Sequence, residues 1–287
     1  MFENILKGFS FIKQSFVLIT KDVDLIKPSI YSIFLGIFFT AITGIAIYLS
    51  SKTMPSELVY ILVFLVLLGE YYISYFFTGM TAFLVYDYFK DGDATMSEAW
   101  AATKKNALTL FYLSIISAIV RLVTGVLSGK SGRERGTASG LAGMVLGFIE
   151  RVWTVATYFI IPAIVIEDRD LKGAVARASD IMQKHLLPIG VGEIAVGFVT
   201  GLLTIIGFII AIVLGISIFG AMSSATGAIL AILIAAVIIV LVIALSMYVT
   251  TAYHTCLFLW ARSIEDAGTG APGTVKPPVP IANVLGV

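Results

Sequence analysis

The sequence predicts an all-α polytopic membrane protein with six transmembrane helices and about three amphipathic helices at the cytoplasmic interface. The first observation is composition: of 287 residues, 59% are apolar and only 13% are charged, whereas soluble domains carry about 25% charged residues. The second is a mean hydropathy of +0.99. A chain this poor in charge cannot keep its surface in water, so lipid must be the solvent for most of it.

The third observation is the number of long apolar runs. A helix needs about 20 apolar residues to cross the hydrocarbon layer. Two of the qualifying runs, the last two, are longer than crossing requires, which predicts tilt, kinks or extension beyond the bilayer. The six predicted spans are 28–50, 58–86, 107–127, 141–166, 187–219 and 225–260.

The distribution of Lys and Arg predicts the orientation. Thirteen of them fall on the side of the membrane that holds both termini, four fall on the opposite side, and two lie within spans. The positive-inside rule therefore places the N- and C-termini in the cytoplasm of a multi-pass protein of the cell membrane. The first apolar run begins near Pro28, behind four lysines and without a following small-residue cleavage pattern, so we expect a retained helix.

Amphipathic segments are expected on the cytoplasmic side. From Phe2 to Ile19 apolar residues recur every three or four positions, which is typical of a helix lying in the membrane interface. A second such helix is expected after Thr95, which with Glu98 fits a capping box. A third is expected after Asp170, a candidate N-cap residue.

The three interface segments suggest a threefold organisation within one domain, 1–262. Each unit would consist of an interface helix followed by two spans, although residue identity between the units is slight. The units are 1–86, 87–166 and 167–262, and a Pro- and Gly-rich cytoplasmic tail, 263–287, follows them.

Few ionisable residues interrupt the spans. Such groups are costly in lipid and by default indicate a functional site. The main candidates are Glu70, Arg121, Glu150 and Arg151, and those of lower rank are Glu193 and His254.

Two of these charges are predicted to pair. Arg121 and Glu150 lie equally far along the chain from the turn centred near Arg135 and Gly136. Antiparallel helices of equal rise then place the two side chains at the same depth, in the outer half of the bilayer. Arg151 points about 100° away from Glu150, so it must find another carboxylate, for which Glu70 is a candidate, or reach the outer interface through its long stem.

The intramembrane charges admit two interpretations. In the first they are structural contacts that fix helix register. In the second they line a polar path for an ion, a proton or an anionic solute. Glu193 lies near the inner interface and is expected to be hydrated, and His254 is expected to satisfy a local partner.

Other features indicate packing or exclude classes of function. Gly143-xxx-Gly147 and Gly197-xxx-Gly201 predict close helix approach, within one chain or between copies. The single cysteine, Cys256, excludes an intrachain disulfide and a cysteine metal cluster. A net charge of +1 argues against nucleic-acid binding. We find no catalytic, metal-binding or cofactor motif, and therefore expect no enzyme activity.

One stretch carries a family resemblance. WTVATYFIIPAIVIEDRDLKGAVARASDIMQKH (Trp153 to His185) and, more weakly, AYHTCLFLWARSIEDAG (Ala252 to Gly268) resemble a domain-of-unknown-function family of six-helix prokaryotic integral membrane proteins. Membrane domains that accompany some glycerophosphodiester phosphodiesterases resemble the chain more distantly. The resemblance implies fold and location, and it transfers no activity and no site.

Two functions remain open at this point. The first is a non-enzymatic scaffold or subunit of a membrane assembly, with membrane lipids and a protein partner or further copies of the chain as its partners. The alternative is a transporter or channel for an ion or small solute that uses the intramembrane charges. The interface helices and the small-residue faces favour the first.

Overall fold

The computed structural model describes residues 13–50, 55–131, 137–184, 186–222 and 224–267, with side chains left out at 56–57, 126–142, 186–193 and 195. Every regular element in these ranges is helical. A helical segment over 13–21 and a 3₁₀ turn, Val23–Leu25, precede the long helices. The helices are α1 Lys27–Ser50, α2 Ser56–Asp91, α3 Met96–Lys105, α4 Ala107–Ser131, α5 Thr137–Val165, α6 Leu171–Lys184, α7 Leu186–Met222 and α8 Ala225–Asp266.

Six helical stretches in the described ranges are long and apolar enough to cross a membrane. They confirm the six predicted spans, and the last two again exceed the length that crossing requires. The chain is therefore an all-α multi-pass membrane protein. The six stretches are Val23–Ser50, Leu58–Asp91, Ala107–Gly125, Gly143–Val165, Val196–Met222 and Ala225–Asp266.

The chain divides into two compact units, and the first is built on α7 and α8. It contains the described residues of Met1–Ile33, Leu84–Thr95 and His185–Val287. Helices α7 and α8 pack along each other, and a Cβ atom on Gly207 would lie 2.7 Å from Val242 Cγ1. The absence of a side chain at Gly207 is thus what lets these two helices approach closely.

The second unit holds α3 to α6 together with parts of α1 and α2. It comprises Phe34–Phe83 and Met96–Lys184, and within it α5 packs on α4 and α6. Leu110 and Leu113 of α4 and Phe159 of α5 are fully buried. The core of this unit therefore lies in the half of the α4–α5 hairpin that is nearer to α6.

The start of α3 differs from the prediction. The Thr95 hydroxyl is buried and has no hydrogen-bond partner in the described chain, so the capping box with Glu98 is wrong. The backbone N–H of Thr95 instead donates to Asp87 Oδ2 at 3.4 Å. Asp87 lies in the last turns of α2, is 5% exposed, and takes the place that Glu98 would have had.

The acidic turn between α5 and α6 joins two parts of the second unit. Asp168 accepts hydrogen bonds from Lys105 Nζ at 2.7 Å and from Asn106 Nδ2 at 2.9 Å. Its backbone has a φ of +53°, a left-handed conformation that Asp and Asn tolerate better than most residues. The Asp170 carboxylate accepts the N–H of Gly173 at 3.0 Å, which confirms Asp170 as the N-cap of α6. We call Lys105, Asn106 and Asp168 the turn clasp.

The helices expected at the interface bury residues inside the protein. In α6 these are Ala174, Ala178 and Ile181, and in α3 they include Ala99. Their position in a membrane interface stays a prediction, as does the threefold organisation. The first predicted interface helix is described only from residue 13 onward, and residues 268–287 of the tail lie outside the described chain.

The turn clasp predicts a pH-dependent contribution to stability. Hydrogen bonds from Lys105 and then Asn106, together with the Lys105 charge, hold the pKa of Asp168 below its ordinary value of 3.8. A lowered pKa in the folded state stabilises the fold at pH values above the ordinary pKa, and this stability is lost as the pH falls through the lowered value.

Asp168→Asn keeps a residue that tolerates positive φ and removes the charge. We expect it to lower the free energy of unfolding at pH 7 by less than about 1 kcal/mol, because the pair is exposed, and to lower the unfolding temperature accordingly. Thermal unfolding in detergent should show the difference shrinking below pH 4, and a constant difference would contradict the role of the charge.

The α7–α8 contact predicts a position-specific effect of a single methyl group. Gly207→Ala forces the new Cβ against Val242 and should destabilise the fold by roughly 1–3 kcal/mol through overpacking. Gly201→Ala on the same helix is the matched control, because nothing described lies within 4 Å of a Cβ there. Thermal unfolding in detergent measures both variants, and equal unfolding temperatures would contradict the proposed close approach.

Candidate functional site

The predicted intramembrane ion pair is present. Arg121 Nη1 on α4 donates to Glu150 Oε1 on α5, which confirms the pairing expected from their equal distances to the turn. Arg121 follows Ala107, the first residue of α4, by fourteen residues, and Glu150 precedes Val165, the last residue of α5, by fifteen. At about 1.5 Å per residue, both therefore lie about 21–23 Å from the turn clasp end of the hairpin.

A neutral polar contact lies one turn closer to the turn clasp, and the sequence analysis missed it. Ser117 Oγ accepts hydrogen bonds from Tyr75 Oη at 2.7 Å and from Trp153 Nε1 at 2.9 Å, and it donates to Leu113 O at 3.0 Å. The serine is 1% exposed, and its hydroxyl is fully satisfied. It joins α2, α4 and α5, so we call Tyr75, Ser117 and Trp153 the serine junction.

A signal for the serine junction was present in the sequence. Ser117 precedes Arg121 by four residues, and Trp153 follows Glu150 by three, so both sit one turn away from the predicted ion pair on the same helix faces. An indole N–H inside a span needs an acceptor. The predicted pairing of Arg121 with Glu150 sets the register of α4 against α5. In that register Ser117 on α4 lies opposite Trp153 and can accept its N–H.

Glu70 has a different partner from the one proposed. Its carboxylate accepts a hydrogen bond from Thr40 Oγ1 on α1, and a Cβ on Gly36, one turn away, would lie 3.6 Å from Glu70 Oε2. No ion pair with Arg151 is found in the described chain, so the Glu70–Arg151 hypothesis is wrong. The described partner of Glu70 is therefore a neutral hydroxyl on the adjacent helix and not a cation.

Arg151 stands apart from these contacts. Its side chain is exposed, and it makes no ion pair or hydrogen bond with any described residue. Of the two fates expected from the sequence, a second carboxylate and the membrane interface, the first is not observed within the described chain. Among the intramembrane candidates whose side chains are described, Arg151 is the one with no hydrogen-bond or ion-pair partner in the described chain.

The two candidates of lower rank lie in the other unit. His254 is 1% exposed, and its Nδ1 is hydrogen-bonded to Thr250 O at 2.7 Å, which confirms the expected local partner. Glu193 falls within α7, and its side chain lies outside the described part of the chain.

The paired glycines do not mediate contacts within the described chain. A Cβ at Gly143, Gly147, Gly197 or Gly201 would meet no described atom within 4 Å. The close approaches occur at other glycines, including Gly207. No described residue therefore covers either small-xxx-small motif.

This arrangement holds helices in register, and no group of three or more His, Cys, Asp and Glu in the described ranges is placed to bind a metal ion. The ion pair, the serine junction and the Thr40–Glu70 contact each join different helices. In each of the three contacts, the hydrogen-bond donor and the acceptor belong to the protein itself. Among the described residues, no hydrogen bond or ion pair links one of these three contacts to another.

The ion pair predicts a non-additive effect on stability. Arg121→Leu leaves Glu150 without its partner in lipid and should cost on the order of 2–3 kcal/mol. Glu150→Leu should cost a similar amount, whereas the double variant removes both charges and should fall within about 1 kcal/mol of the parent. A double-mutant cycle of thermal or denaturant unfolding measures the coupling. Additive losses would show that the two side chains do not act as a pair.

The comparisons with known proteins give a family that has no assigned function. A search of curated proteins gives no match to the chain. The resemblance to membrane domains of glycerophosphodiester phosphodiesterases is therefore not shown. A family of unknown function, DUF6159, matches residues 24–268, which include almost all of the six spans. By this match the chain belongs to the DUF6159 family of unknown function.

Proposed function

We propose that the protein is a non-enzymatic component of a membrane assembly, a scaffold or a subunit that acts by binding another transmembrane helix. The observation that carries the proposal is a small-residue face on α7 that no described residue covers. This face consists of Ile194, Gly197, Phe198, Gly201 and Ile205, and we call it the α7 glycine face.

The α7 glycine face is continuous along the helix. Gly197 and Phe198 follow Ile194 by three and four residues, Gly201 follows Gly197 by four, and Ile205 follows Gly201 by four, so all five share one side of α7. Ile194 is 72% exposed, Phe198 53% and Ile205 59%, and both glycines have open space beside them. Large apolar side chains thus flank a groove lined by two glycines, the arrangement through which membrane helices approach each other closely.

The contact of α7 with α8 uses a different side of the helix. Thr204 Oγ1 lies 3.1 Å from Ser246 Oγ, Gly207 lies against Val242, and Ala211 is fully buried. The centre of this contact lies roughly 100° around the helix from the centre of the α7 glycine face, and Gly197, seven residues before Thr204, lies at the edge between the two. Occupying the glycine face would therefore leave the α7–α8 contact intact.

The transporter alternative has weaker support. It rests on intramembrane charges, but Arg121 is paired with Glu150 and Glu70 is hydrogen-bonded to Thr40. A transport pathway would require some of these groups to exchange partners with a solute. If Glu70→Gln abolished a solute flux measured in proteoliposomes without changing the unfolding temperature, the alternative would gain over the assembly proposal.

The remaining parts of the proposal concern location and partners. The excess of Lys and Arg on one side supports cytoplasmic N- and C-termini in the cell membrane. The low net charge supports lipids and a membrane protein, and not nucleic acid, as the partners.

Association through the α7 glycine face can be tested with bulky substitutions. We expect Gly201→Leu to fill the groove and abolish association, while its unfolding temperature stays at or above that of the parent, since no described atom stands in the way. Gly44→Leu on α1 is the matched control, because Gly44 also has nothing described within 4 Å and lies on another helix. A photoreactive residue at position 198 reports association as a cross-linked band from membranes, identified by mass spectrometry.

The outcomes are distinguishable. The proposal expects a cross-linked species in the parent and in Gly44→Leu, and its loss in Gly201→Leu. A species that persists in Gly201→Leu would contradict the role of this face. A parent protein found only as a lipid-bound monomer by native mass spectrometry would contradict the assembly proposal itself.

A further inference from the structure

Arg151 is an exposed cation on a membrane-spanning helix. Neighbouring charges do not neutralise it, because Glu150 is already bonded to Arg121. The three side chains together carry one excess positive charge. A charged group in the hydrocarbon of a bilayer is costly unless it finds a partner or reaches the interface, so Arg151 requires a partner that the described residues do not supply.

Arg151 lies close enough to one boundary of the membrane for its side chain to reach the headgroups there. Lys105 and Asp168 of the turn clasp are charged and lie just beyond Ala107 and Val165, which places those helix ends near one membrane boundary. Arg151 precedes Val165 by fourteen residues, or about 21 Å. Since the hydrocarbon layer is about 30 Å thick, the second boundary lies about 9 Å farther on, toward the start of α5.

The direction of the side chain favours that second boundary. On every α-helix the Cα–Cβ bonds tilt toward the N-terminus, and the nearer boundary lies toward the N-terminus of α5. The stem of an arginine at position 151 therefore leaves the helix toward the lipid headgroups and passes over residue 147, one turn before it. Gly147 has no side chain to obstruct it, and no described atom lies within 4 Å of where a Cβ would stand.

The surface beside Arg151 has the character of a lipid contact. Met144 is 74% exposed, Val145 57% and Phe148 68%, so an apolar surface lies between Arg151 and the nearer boundary. A lipid offers a phosphate near that boundary and acyl chains alongside these side chains. Guanidinium binds phosphate oxygens through paired N–H donors.

We propose that Arg151 binds the phosphate of an anionic phospholipid in the leaflet nearer the start of α5. The negative charge of the lipid balances the excess charge of Arg121, Glu150 and Arg151. This site is on α5 and is independent of the assembly proposed for α7, so either can fail alone.

The test compares lipid binding by purified, delipidated protein. Native mass spectrometry titrates phosphatidylglycerol, which is anionic, against phosphatidylcholine, which has the same phosphate but no net charge. We expect the parent to prefer phosphatidylglycerol. Arg151→Gln should weaken its binding about tenfold, the scale of one lost charge-assisted contact. Arg151→Lys should fall between the two, since lysine keeps the charge and loses the paired donors.

Two further variants serve as controls. Lys104→Gln removes one positive charge from an exposed position on α3, outside the membrane spans, and should leave lipid binding unchanged. Arg151→Leu places an apolar side chain in the hydrocarbon and should fold normally. If Arg151→Gln folds poorly, phosphatidylglycerol binding by Arg151→Leu is compared with that of the parent instead.

Three results would overturn the proposal. The first is equal phosphatidylglycerol binding by the parent and both neutral Arg151 variants. The second is a parent that binds the two lipids equally. The third is a lipid-free dimer that Arg151→Gln dissociates, which would assign a carboxylate of a second copy, and not a lipid, as the partner of Arg151.

Discussion

Lipid removes the hydrophobic gain that holds the helices of soluble proteins together, so polar contacts and close backbone approaches must replace it. In the α4–α5 hairpin the turn clasp joins Asn106 to Asp168 at one end, and the pair of Arg121 and Glu150 joins the helices about 21 Å away. A slip of one residue would break both contacts and the serine junction between them. The register of the hairpin is therefore fixed at three levels.

The three levels differ in what they contribute. The serine junction is neutral and fully hydrogen-bonded, so it adds cohesion at a small desolvation cost. The ion pair needs both partners, and replacing both with apolar residues is often close to neutral for stability. Its larger effect is specificity, because any packing that separates Arg121 from Glu150 leaves two charges alone in lipid.

Contacts that follow from residue spacing within one segment of the chain could be predicted from the sequence. Where no such spacing applies, contacts with a residue of a neighbouring helix could not. Arg121 and Glu150 flank a single turn, so equal residue numbers gave equal depth, and the Asp170 cap is local. The Thr95 cap failed because Asp87, from the preceding helix, is buried beside it and takes its N–H. The sequence does not indicate Thr40 as the partner of Glu70, because a neutral threonine in an apolar run can equally bond its hydroxyl to its own helix backbone.

The adjacent residues Glu150 and Arg151 show how helix direction decides the fate of a charge. In a hairpin, side chains on the helix that approaches a membrane surface tilt away from that surface, and those on the helix that leaves it tilt toward it. Arg121 lies on the approaching helix, so its stem is directed back into the bilayer and it requires a carboxylate. Glu150, at nearly the same depth on α5, supplies one. Arg151 lies on the departing helix, on which the Cα–Cβ bonds tilt toward the headgroups. Arg121 and Arg151 therefore need different partners although they lie at matched depth. Glu150 binds the arginine across the hairpin, Arg121, and not its own neighbour in sequence, Arg151.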